Sequence, residues 1–211
     1  MNPSNAGRQL AEDNERSAVD RRYKDLSAMA IKYWAKNGLR GENRFDERKY
    51  WTYGCHCLFL GDRPMSTLGG GTPVDGLDRK CKVYKDCLRC VRKTHGPGCI
   101  AELRKYQWMW SSEKDRLSST NSKGSCPREL FECDRRFVED LFENRASFDE
   151  QFHTFWSPNG FDNRDPNNCP SGSNTPSPHE CCGGGDRPYN WFSLRIRNYN
   201  NQVHLKLIVT D

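Results

Sequence analysis

A chain of 211 residues that is 35% hydrophobic and 29% charged has room for one domain with extensions and a core of modest size. Its eleven cysteines point to an oxidising, extracellular setting and a disulfide-stapled fold, and the odd count leaves at least one thiol free or bridged to another chain. No run of 18 apolar residues offers a membrane-spanning helix, the lone Cys-x-x-Cys pair (Cys87, Cys90) has no second pair to complete a zinc site, and the +5 net charge comes without the aromatic interleaving of a nucleic-acid surface.

Residues 1–22 have few apolar side chains and no periodicity, which predicts a disordered polar tail. They also lack the apolar run of a secretory signal, although the cysteines favour secretion. A helix is expected over residues 24–36, with Leu26, Ala30, Ile31 and Trp34 in one apolar stripe and Gly38 as its stop. Residues 39–52 are charged, with Phe45, Tyr50 and Trp51 as anchors, and a glycine-containing loop leads to Pro73. Asp75 is a good N-cap for a long helix over residues 76–94. Leu77, Cys81, Tyr84, Leu88 and Val91 recur at helical spacing, so Tyr84 points inward and Lys85 lies about 100° around the axis, near the edge of that face. Lys80, Lys82, Lys85, Arg89, Arg92 and Lys93 crowd into fourteen residues of this helix.

The alternation at Tyr106-Gln107-Trp108-Met109-Trp110, followed by a polar turn, reads as a short β-hairpin. Cys126-Pro127 opens a second long helix that reaches about Asn144, with Leu130, Phe131, Phe137, Val138 and Leu141 on its apolar face. Phe148, Phe152, Phe155 and Trp156 continue this helix or pack back on it. Residues 158–188 turn to Pro, Ser, Asn and Gly, an extension expected to be held by Cys169, Cys181 and Cys182 rather than by a core. Alternation on both sides of Asn198 predicts a terminal hairpin with an apolar face that needs a partner surface. The expected domains are therefore a tail (1–22), a helical domain (23–157) and a Cys/Pro/Gly/Ser-rich extension (158–211).

Three motifs resemble the secreted phospholipase A2 family: Tyr53-Gly54-Cys55-His56-Cys57, then Pro73-Val74-Asp75-Gly76-Leu77-Asp78-Arg79, then the cysteine spacing from Cys81 to Cys87. The likeness extends over about residues 24–144. It implies a mainly α, disulfide-rich fold with an N-terminal helix, two long antiparallel disulfide-linked helices and a small β-wing. It also implies the bridges Cys57–Cys81, Cys87–Cys133 and Cys99–Cys126, with Cys55 and Cys90 taking two of Cys169, Cys181 and Cys182. Two family bridges are missing as whole pairs. Lys80 and Asp140 stand at the ends of one, where a salt bridge is expected, and Phe131 and about Ser119 at the ends of the other. Cys181-Cys182-Gly183 and Pro188-Tyr189 also resemble a motif of phospholipase-like modules in invertebrate extracellular matrix.

In that family a helical His draws a proton from the water that attacks the sn-2 ester, the next residue, an Asp, holds Ca²⁺ with loop carbonyls, and an Asp on the facing helix orients the His. Here Tyr84 takes the place of the base, and only about one phenol in a thousand is ionised at pH 7. Lys85 takes the place of the metal-binding carboxylate, and an ammonium does not ligate Ca²⁺. The segment after Cys57 reads Leu58-Phe59-Leu60-Gly61 and the loop is about eight residues longer than the family's. Asp134 matches the facing Asp and is expected to accept a hydrogen bond from Tyr84. His56 is expected to be a loop residue and His95 a helix C-cap. The resemblance thus implies a secreted homologue without catalysis or a calcium cofactor, as in venom homologues with Lys at the metal position, which keep the His. Trp34, Lys82, Lys85, Trp108 and Trp110 are its candidate contacts with a phospholipid membrane or an extracellular protein or matrix partner, with an intermolecular disulfide open to the odd cysteine and no nucleic acid. The alternatives are an active calcium-dependent phospholipase and a structural matrix component.

Overall fold

The structure, a computed structural model, describes residues 24–59, 69–171, 179–184, 187–199 and 202–208. Helix α1 occupies residues 24–36, and Leu26, Met29, Ala30 and Trp34 bury its apolar stripe. Two 3₁₀ turns, Gly41–Asn43 and Glu47–Tyr50, lead to a minimal antiparallel pair, β1 (Thr52–Tyr53) and β2 (Cys57–Leu58).

Helix α2 (Gly76–His95) starts where Asp75 accepts the Asp78 amide at 2.7 Å and stops at Gly96, whose φ of 89° no other residue adopts without strain. Strands β3 (Met109–Ser111) and β4 (Arg116–Ser118) form the expected β-wing. Helix α3 (Cys126–Glu143) begins at a Ser125 cap with Pro127 in its first turn. It packs on α2, and Cys87–Cys133 crosslinks the two. Closing a loop of 46 residues in this way stabilises the fold by about 4 kcal/mol in the chain-entropy view. Where the family's further bridge is missing, Lys80 Nζ lies 3.0 Å from Asp140 Oδ1, as expected. An ion pair with a third of the Lys80 side chain exposed contributes about 0–1 kcal/mol, so it takes the disulfide's place without its strength.

After α3 the helix does not continue. Phe148 and Phe152 pack against Tyr53, and His153 stacks on Trp156 at 4.4 Å, whereas Phe155 is exposed. The C-terminal region departs from the expectation of a loop-rich segment held by cysteines alone. Strands β5 (His179–Gly184), β6 (Arg187–Tyr199) and β7 (Gln202–Ile208) form an antiparallel sheet in the order β5-β6-β7. The β6–β7 pairing is the expected hairpin, and β5 is an additional strand. β6 lies against α2 and α3, and Tyr189 enters the main core, where it hydrogen-bonds Thr94 and Glu129. The reason is adjacency: Cys90 on α2 bridges to Cys181 on β5 and brings β6 onto the helices. No helix among the described residues is long and apolar enough to cross a membrane. The polar tail expected over residues 1–22 lies outside the described residues.

Among the described residues the bridges are Cys55–Cys169, Cys57–Cys81, Cys87–Cys133, Cys90–Cys181 and Cys99–Cys126, which take up every cysteine of the sequence but Cys182. Non-reducing peptide mapping after alkylation should therefore recover a Cys90–Cys181 peptide and place the alkyl group on Cys182. A Cys90–Cys182 peptide would put β5 in a different register.

Candidate functional site

The site forms where α2 and α3 face each other. Tyr84 from α2 donates its hydroxyl to Asp134 Oδ1 of α3 at 2.7 Å, and Tyr106, arriving from the segment before β3, donates to the other carboxylate oxygen. Asp134 is 2% exposed. Burial raises its pKa to about 7, against the opposing pull of the two phenol hydrogen bonds. Burial likewise pushes the Tyr106 phenol well above its ordinary value.

The Tyr84 ring is itself packed. It stacks on Phe137 with centroids 4.2 Å apart, and Phe59 closes the group at 5.4 Å from Phe137 and 6.4 Å from Tyr84. The space left between this cluster and α1, lined by Leu26, Phe45, Tyr50, Phe59, Phe137 and Leu141, amounts to about 20 Å³. That is little more than one water occupies. A separate open groove of about 990 Å³ lies outside it, along Ile31, Phe45, Glu47 and Trp51.

The loop before α2 is organised by Asp78. Its carboxylate accepts the amides of Cys55 (2.9 Å), His56 (2.7 Å) and Val74 (3.0 Å). The approach is so close that a Cβ on Gly54 would lie 2.4 Å from the Asp78 carboxyl carbon. Lys85, expected near the edge of the buried face, is fully interior at 1% exposure. The chain at Gly69, folded over the helix, covers it: a Cβ there would lie 2.8 Å from Lys85 Nζ and 2.5 Å from the Cys55 carbonyl oxygen. Burial lowers the Lys85 pKa to about 7, and the nearby Asp78 carboxylate only partly offsets this. Asp86 turns away, bonding Lys82 Nζ and Arg89 Nη1 at 2.9 Å each.

His56 is buried, with Nε2 3.0 Å from the Gly71 carbonyl oxygen, and burial lowers its pKa. His95 does not cap α2 as expected: its Nε2 lies 2.5 Å from Glu129 Oε2, because the N-terminal turn of α3 sits beside the C-terminus of α2. The candidate contact residues do not converge. Trp34 is 4% exposed, held in the core by Phe45 and Phe142, so Trp34 and Lys85 present no surface to a partner. Trp108 is half-buried with Nε1 3.3 Å from Asp25, Trp110 packs edge-on to Tyr33 beneath Lys36, and Lys82 is partly exposed. Tyr106, Phe59 and Phe137 were missed as site residues. The only sequence signal was Phe59 standing among residues where the family places glycines.

A family model described as phospholipase A2 matches residues 39–153, which contain every group just described at the α2–α3 interface. The chain belongs to the phospholipase A2 family. Relatives include basic phospholipase A2 homolog 2 of Bothrops asper, 30% identical over 111 residues (53% of this chain and 69% of the relative). Piratoxin-2 of Bothrops pirajai, another basic phospholipase A2 homolog, is 29% identical over 111 residues (53% and 78%). The basic phospholipase A2 homolog blK-PLA2 of Bothrops leucurus is 26% identical over 134 residues (64% and 91%).

Two buried groups, Asp134 and Lys85, give this member of the family a distinctive stability profile. Asp134 holds a proton in the folded chain up to about pH 7, above its ordinary value of 3.8, so stability falls as pH rises between the two. Lys85 loses its proton in the folded chain above about pH 7 and in the unfolded chain near 10.5, so stability rises with pH between those values. Urea unfolding from pH 4 to 9 should show a minimum near pH 7. Lys85→Met should flatten the alkaline limb and Asp134→Asn the acid limb. Tyr84→Phe, which removes one of two donors to Asp134, should lower stability by about 1–3 kcal/mol.

Proposed function

We propose that this chain is a secreted, catalytically inactive phospholipase A2 that acts by surface contact with an extracellular partner. The observation that carries this is the Tyr84–Phe137–Phe59 packing around the Tyr84–Asp134 bond. The side chain in the base position is a phenol committed as a donor, and little room remains beside it for an acyl chain. We also propose that the family's calcium is not held here. A hard divalent cation needs oxygen ligands, whereas the loop encloses the Lys85 side chain, Asp78 is occupied by three backbone amides and Asp86 by two cations.

A second reading, peripheral contact with a lipid surface, draws on the exposure of Ile31 on α1 (52%) and Met109 on the β-wing (53%).

The purified chain should release no fatty acid from phosphatidylcholine or phosphatidylglycerol vesicles with calcium present, and calorimetry should show no saturable calcium binding. The double variant Tyr84→His/Lys85→Asp should remain inactive, because Phe59 and Phe137 still fill the site. Calcium-dependent release by the natural chain, lost in Tyr84→Phe, would overturn the reading.

A further inference from the structure

The C-terminal sheet lies outside residues 39–153, the span that the family model matches. One of its two faces is turned to the helices. Tyr189 of β6 enters the main core beside Thr94 and Glu129, and Cys181 of β5, opposite Trp191, bridges to Cys90 on α2. Successive strand residues alternate between faces and directly opposite residues share one, so the odd-numbered positions of β6 belong to this inner face. The even-numbered positions Phe192, Leu194 and Ile196 then fall on the outer face. The register sets Leu207 opposite Leu194, Leu205 opposite Ile196 and Val203 opposite Asn198, so β7 adds three more apolar positions there. Beyond the sheet itself, the principal contacts of its strands are those of β6 with α2 and α3, which lie on the inner side.

Charge and area narrow what covers this outer face. Arg195 opposite Lys206 and Arg197 opposite His204 stand on the inner face, whereas Glu180, on the edge strand β5 opposite Phe192, stands on the outer one. The cations thus lie across the sheet from the apolar positions, and a bilayer entered by those positions would not meet them at its phosphates. Two outer faces laid together bring no like charges into their apolar centre. Six large apolar residues from each of two copies amount to about 1,000 Å² of buried surface, the size at which a specific interface begins. Two such faces can stack as a sandwich about 10 Å deep. We propose that the outer face of the C-terminal sheet binds a second copy of this chain, giving a face-to-face dimer. The inference stands apart from the inactive, surface-contact reading above.

Sedimentation equilibrium of the full chain over about 1–100 µM, a range suited to an interface of this size, should show a mass rising from 24.5 kDa toward twice that value. Leu194→Thr/Ile196→Thr/Leu205→Thr keeps strand-forming residues and should weaken dimerisation by about a hundredfold or more. Arg195→Thr/Arg197→Thr changes neighbouring positions on the reverse face of the same strand and should not weaken the dimer. Recovery of the Cys90–Cys181 peptide from both variants checks that the sheet is still docked. Cys182, opposite Asn190, falls on the outer face, so its alkylation in the native chain should slow as concentration rises, and should not do so in the triple variant. A natural chain that stays monomeric throughout, or equal weakening in both variants, would overturn the proposal. So would a monomer that binds phosphatidylcholine vesicles and loses them in the triple variant, which would assign the face to lipid. Failure of the inactive reading would be seen separately, as fatty-acid release, and does not affect these readouts.

Discussion

Asp134 is a carboxylate enclosed between two helices, and much of the interior is arranged around it. An unpartnered buried carboxylate is costly, so a fold that retains one must bring donors to both oxygens. Here the donors are two phenols, Tyr84 from the facing helix and Tyr106 from the approach to the β-wing. Both rings are then fixed in position, and each extends the core: Tyr84 stacks on Phe137 and Tyr106 packs edge-on to Phe131. The polar centre is a satisfied hydrogen-bond network that joins α2, α3 and the approach to the β-wing.

The same logic governs the loop before α2. Asp78 gathers three backbone amides and so holds the Cys55–His56 turn and Val74 against the start of the helix. Cys57–Cys81 and Cys55–Cys169 tie the same turn to α2 and to the following segment. Beneath it Lys85 keeps a side chain in a place that solvent does not reach, at the cost of an amine whose proton is easily lost.

The faces of α2 are divided among its neighbours. The C-terminal sheet covers one flank of α2, fastened by Cys90–Cys181 and by the insertion of Tyr189 between Thr94 and Glu129. α3 and the core occupy another flank, and the loop a third. What remains of α2 is a narrow solvent ridge, which is where the cations between Arg79 and Lys93 collect. Two further cations of α2 lie off that ridge: Lys80 pairs with Asp140, and Lys85 is interior.

Local patterns were enough for the three helices, the β-wing and the β6–β7 hairpin, because helical and strand periodicity are properties of a few neighbouring residues. The cysteine framework and the Tyr84–Asp134 and Lys80–Asp140 pairs were also legible, through likeness to a family whose spacing this chain retains. Other features depended on distant segments meeting. Tyr106 lies in a stretch whose pattern shows only alternation, and its place at Asp134 is decided by the route of the chain between the helices. β5 reads as loop because its glycines and Glu180 have little strand preference of their own, and it becomes a strand because β6 supplies its hydrogen-bond partners. Cys181 and Cys182 are equivalent in composition, and only strand register distinguishes the one that meets Cys90. Lys85 and Trp34 looked available for contact, and both are interior because other segments fold over them. Sequence alone determined which elements form and that Tyr84 and Lys85 stand between Cys81 and Cys87, since both reside in adjacent residues. Burial, pairing and the closure of the site were decided by tertiary structure, because each depends on what a remote part of the chain lays across it.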